Sequence, residues 1–64
     1  MKVKYFNDTD TALIQFTSRE VVETRELSDD VYLDFDENGQ VVSMTIEHAK
    51  AQAQFPELVY EEVG

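Results

Sequence analysis

Asn38-Gly39 sits between two runs of alternating apolar residues, and no other feature of the chain limits its fold as sharply. Asn-Gly is the preferred pair for a two-residue type I′ turn, because both residues tolerate positive φ. Pairing outward from Glu37 opposite Gln40 sets Phe35 against Val42, Leu33 against Met44 and Val31 against Ile46 on one face. Asp36 with Val41, Asp34 with Ser43 and Tyr32 with Thr45 fall on the other. A one-residue slip would scramble the apolar set, so turn chemistry and period-two patterning specify the same hairpin independently.

The clusters Asn7-Asp8-Thr9-Asp10, Ser18-Arg19 and Ser28-Asp29-Asp30 punctuate the rest of the first three quarters of the chain. With Asn38-Gly39 they predict five strands, approximately Lys2 to Phe6, Thr11 to Thr17, Glu20 to Leu27, Val31 to Asp36 and Val41 to Glu47, in an antiparallel meander. A four-residue first loop pairs Val3 with Ile14 and Tyr5 with Ala12, leaving Lys2 and Lys4 on the polar face. In the third strand Val22 and Thr24 are placed toward the core beside Phe16, and Arg25 across from Asp34 on the polar face. From His48 the pattern changes to Ala49-Lys50-Ala51-Gln52-Ala53-Gln54, good helix formers stopped by Pro56, which predicts about two helical turns. Residues 55–64 are open to three readings: a second short helix, a strand through Leu58-Val59-Tyr60, or a tail that orders on a partner. The fold class is therefore α+β, a five-stranded sheet with a short C-terminal helix.

At 64 residues the chain is one domain, since a boundary inside it would leave two pieces too small for a core. It has no cysteine, which excludes thiolate nucleophiles, zinc knuckles and iron–sulfur sites. Lys2 and Lys4 are followed by Asp8 and Asp10 before any apolar run of signal-peptide length, which points to a cytoplasmic protein. No stretch approaches the roughly 20 apolar residues of a membrane span. Fourteen acidic residues against five basic ones give a net charge of −9, which repels phosphate backbones and argues against direct nucleic-acid binding.

Residues that suggest chemistry have simpler uses here. Asp34-Phe35-Asp36-Glu37-Asn38-Gly39 matches the first half of a calcium loop, but Thr45 stands where a bidentate Glu is needed and the flanks read as strands. A carboxylate pair such as Glu23 and Asp34, read onto one face, resembles the acid/base pair of a hydrolase, yet fourteen acids make close pairs by chance and an exposed face does not tune their pKa values. His48 is the only histidine, and its expected place is the strand-to-helix junction, bonded to backbone. Two glycines make no phosphate loop. We expect no enzyme activity, no metal and no cofactor.

The runs Tyr5 to Ile14, Glu23-Thr24-Arg25-Glu26 and Val31 to Val42, with Ile46 and Ala49, resemble the small bacterial DUF2283 family over roughly residues 1–50. The chain departs from the family's pattern at Asp30, where a glycine is expected, at Thr45, where Glu is common, and at Glu47-His48, where Leu-Asp or Leu-Asn is usual. The resemblance implies a protein without assigned activity, some such proteins being suspected antitoxin-like partners of small toxins. It implies no catalytic residues.

Five strands present an apolar face of about 400 Å², and a two-turn helix covers about a third of it. Contiguous apolar surface of that size needs a cover, so the sequence points to a protein partner: a second copy in a homodimer, a small basic protein, or both. The residues placed for such contact are Glu23, Arg25, Tyr32, Asp34 and Asp36 on the polar face, with Phe55, Leu58 and Tyr60 in the C-terminal extension. The expected function is a non-enzymatic interaction module, with a self-associating structural or regulatory subunit as the alternative.

Overall fold

A computed structural model of the protein describes residues 1–53, 57 and 61–63. Five strands, β1 (Lys2–Phe6), β2 (Thr11–Gln15), β3 (Glu23–Ser28), β4 (Val31–Phe35) and β5 (Val41–Glu47), are followed by one short helix, α1 (Ala49–Ala53). All four neighbouring strand pairs are antiparallel. The order across the sheet is β1-β2-β5-β4-β3, which corrects the sequential meander expected from the turns. Only β3, β4 and β5 run as a meander. The β1–β2 hairpin joins that unit on the β5 side, and residues 16–22, read above as a tight turn at Ser18-Arg19, carry the chain across to the far edge.

The first hairpin has the expected register, Val3 opposite Ile14 and Tyr5 opposite Ala12. The β4–β5 hairpin keeps Val31 opposite Ile46, Leu33 opposite Met44 and Asp34 opposite Ser43, but Phe35 faces Val41 rather than Val42. Two departures cancel here. Asp36 N–H donates to Gln40 C=O (2.9 Å) and Gly39 N–H to Asp36 C=O (3.0 Å), so the loop has three residues, a type I turn closed by Gly39 at φ 78°, and not a type I′ pair. Val42 is the extra residue of a bulge that restores the register.

Ala12, Ile46 and Ala49 are the buried centre of the molecule, with Val3, Tyr5, Ile14, Val31 and Met44 packed around them. Helix α1 therefore closes the face over β1, β2 and β5. Its described extent, five residues, is shorter than the two turns expected. His48 caps it in the left-handed region at φ 53°, its C=O accepting from Ala51 and Gln52 N–H. Asp10, also at positive φ, takes the Ala49 N–H on its C=O (2.9 Å) and the Lys50 N–H on its carboxylate (3.1 Å). The helix is thus fastened to the first loop through backbone donors that a short helix cannot satisfy itself.

Candidate interaction surface

The sheet is covered unequally. Every residue of β3 is exposed, while Ala12 and Ala49 at the covered end are fully enclosed. Phe16, placed in the core by the sequence, is 43 % exposed, and Val22 is 58 % exposed. The register explains the difference on β3: Thr24 is opposite Asp34 and Arg25 opposite Leu33, the reverse of the expected placement. Arg25 and Glu23 therefore share the face of Leu33 and Phe35, whereas Thr24, Asp34 and Tyr32 lie on the other. Glu23 and Asp34 are on opposite faces, which removes the acid/base pair considered above.

On the first face the Arg25 guanidinium lies 4.8 Å from the centroid of the Phe35 ring, a cation–π contact, and also bonds the Glu23 carboxylate. That partner holds the Glu23 carboxyl below its ordinary range and the Arg25 guanidinium above its own. A long side chain thus spreads its stem across apolar surface and keeps its charge in water.

The acids of the calcium-like run are engaged within the sheet. Asp34 accepts from Thr24 Oγ1 (2.6 Å) and Ser43 Oγ (2.6 Å). Asp36 is buried; one carboxylate oxygen accepts the N–H groups of Asn38 and Gln40 (both 2.9 Å), and the other accepts Arg19 Nε (2.6 Å). The Gln40 amide first, then Arg19 and the Asn38 amide, hold its carboxyl below the usual range against the opposing effect of burial. Asp36 therefore shapes the turn and anchors the crossover, and Asp34 braces β3, β4 and β5. Tyr32 is half-buried, its hydroxyl 3.5 Å from the Asp29 C=O. Phe55, Leu58 and Tyr60 lie outside the described residues.

At the opposite end of the sheet His48 meets a side chain rather than backbone: its Nδ1 is 3.0 Å from the Asp30 carboxylate. Asp30 also accepts from the Gln52 amide (3.0 Å) and, through its C=O, from Glu47 N–H (2.7 Å). This hydrogen bond and charge raise the His48 pKa, with smaller contributions from Glu47 and Asp10 and an opposing one from burial. Nearby, the bond from Tyr5 to Asp10 (2.6 Å) pushes the phenol up to about 12 and lowers the Asp10 carboxyl.

The interaction residues split accordingly. Glu23 and Arg25 stand on an open edge, Asp34 and Asp36 are structural, and Tyr32 lies between. Sequence reasoning missed Glu26 and Leu27 on that edge, Leu27 being 64 % exposed. The signal available was the break in alternation at Glu26-Leu27-Ser28, where β3 carries a bulge. Among the described residues no group of three or more His, Asp or Glu side chains is placed to hold a metal, and no helix is long and apolar enough to cross a membrane. Neither a curated protein nor a solved structure matches the chain. Residues 2–50 do match a family described as Protein of unknown function (DUF2283), more than half of the 64 residues, and the chain belongs to that family.

Proposed function

We propose that this protein is a non-enzymatic interaction module that binds a small basic protein, in an antitoxin-like role. The observation that carries the reading is the unequal cover of the sheet. The apolar face passes from an enclosed centre at Ala12, Ile46 and Ala49 to an exposed margin at Glu23 and Arg25, with exposed Val22 and Leu27 on either side of it in the chain. A net charge of −9 supports a cationic partner, because complementary potentials steer encounter and suppress wrong partners. The engagement of Asp34 and Asp36 in internal hydrogen bonds supports a role without acid/base chemistry. Affinity capture of the full-length chain from its native host, with carboxylate-directed crosslinking and mass spectrometry, tests the reading. A basic protein recovered in stoichiometric amount with crosslinks to the β3 region is expected; no stoichiometric partner would overturn the proposal.

A second reading, a self-associating structural or regulatory subunit, is favoured by the lean core. Among the described residues the buried apolar side chains are Ala12, Val42, Ile46 and Ala49, two of them alanines, and chains this small commonly need further support to fold. Light scattering at about 50 µM, with melting followed over a roughly hundredfold dilution, separates the readings. A dimer whose midpoint falls on dilution supports the second.

A further inference from the structure

β3 is the edge of the sheet beside β4, and its backbone alternation can be read from the bonds at the two ends of β4. Asp30 C=O accepts from Glu47 N–H, and Asp36 N–H donates to Gln40 C=O, so even-numbered residues along β4 turn their peptide groups toward β5. Tyr32 and Asp34 therefore make no ladder bond to β3. Their partners there, Glu26 and Thr24, direct their own N–H and C=O groups away from the sheet. All six side chains of the strand are exposed, so nothing within the described chain covers these groups.

Exposed edges of this kind are usually blunted, because they template pairing with another strand. Here the bulge at Leu27 limits the regular edge to Glu23–Glu26, which leaves a short docking strand. Residues 20–29 hold Glu20, Glu23, Glu26 and Asp29 against Arg25 alone. Exposed Val22 and Leu27 flank the regular stretch. The other edge differs in sign, since β1 carries Lys2 and Lys4 and no acid. The two edges thus present the same backbone chemistry with opposite charge.

We infer that the free edge of β3 is a docking strand for an extended, lysine- or arginine-rich segment of a partner protein, which would add a sixth strand beside Thr24 and Glu26. The inference rests on the interaction reading above and deepens it. Main-chain bonds supply the affinity in this mode and side-chain pockets the specificity; here Glu26, on the face of Tyr32, would meet a cation of the added strand, and exposed Val22 and Leu27 at the two ends of the stretch would meet apolar residues.

The test uses the full chain, labelled with nitrogen-15, and a capped peptide of alternating lysine and valine as probe. Saturating peptide should slow amide exchange at Thr24 and Glu26 by about tenfold or more, with no change along β1, and about 0.5 M salt should weaken binding. A glutamate–valine peptide should leave the same amides unchanged. No protection at Thr24 and Glu26, or protection at β1 instead, would overturn the inference. E26K, a change at an exposed position, should keep the melting curve and weaken the lysine–valine peptide about tenfold; unchanged affinity would overturn the inference as well. Capture of the same host partner equally by wild type and E26K would reject this edge as the docking site while the protein remained an interaction module. Failure of wild type to capture any partner would instead reject the functional reading, and the peptide titration would still decide the edge.

Discussion

The half of the sheet made by β1, β2 and β5 and the half made by β3 and β4 are held by different forces. In the first, small side chains let helix α1 approach closely, and Ala12 and Ala49 are fully enclosed. In the second, hydrogen bonds among Thr24, Asp34, Ser43, Asp36 and Arg19 hold strands whose apolar residues stay partly wet. Burial gives the first half tolerance of solvent conditions and little tolerance of mutation. The second half has the opposite sensitivities.

The largest expected effect separates the halves directly. Ala12→Asp should unfold the chain or cost about 3–5 kcal/mol, because it encloses an unpaired carboxylate, while Leu27→Asp should stay within about 0.5 kcal/mol. Equal costs in denaturant titrations would dissolve the distinction. Next, Asp36→Ala removes the acceptor of the Asn38 and Gln40 amides and of Arg19, and should lower the melting temperature by about 10 °C. Exchange should accelerate first in β3 and residues 16–22; uniform acceleration would mean that the crossover does not hold the open half independently.

Gly39→Val should cost about 1–2 kcal/mol, since a β-branched residue is penalised at φ 78°. A Cβ there would meet nothing within 4 Å, so the cost is conformational, and Gly39→Asn should recover most of it. If valine melts like wild type, the turn that joins the halves is not the three-residue form.

The smallest effect concerns the tie between the halves at Asp30 and His48. The folded state raises the His48 pKa above its ordinary 6.5, so the stabilisation is complete below that value and is lost as pH rises through the folded pKa. The amides of Ala49 and Lys50 should exchange faster above that transition, after correction for intrinsic rates, and His48→Gln should abolish the step. An unchanged profile in His48→Gln would show that the helix is held by Asp10 alone.

The hairpins were legible in the sequence because alternation and turn chemistry act between neighbours in the chain. The loop type was not, since Asn38-Gly39 suits both a type I′ turn and the three-residue form, and the choice lies with the Asp36 carboxylate. Strand order was illegible for a related reason: β2 meets β5 across some thirty residues of chain, and any antiparallel neighbour satisfies the same pattern. Arg25 was assigned to the wrong face because a guanidinium can ride on apolar surface, so that its charge does not mark the polar side of a strand. The Asp30–His48 contact left one trace, two departures from the family pattern that prove to touch each other. Among the candidate residues composition singled out the acids, but only the register and its hydrogen bonds show that Asp34 and Asp36 are engaged within the sheet and that Glu23 pairs with Arg25.

The order β1-β2-β5-β4-β3 also has a consequence for how the chain assembles. Every strand pairing but one joins consecutive strands; the exception, β2 with β5, is a single long-range seam. Two local units can form quickly and separately, and the slow event is their zipping, because closure of the intervening loop precedes its reward. The joint between those units is residues 16–22, anchored by Phe16 and Thr17 N–H on the Val42 carbonyl. A chain cut within that joint keeps both units whole and every strand intact. The fold is, in effect, two pieces with one complementary border, and the border rather than either piece determines whether they reunite.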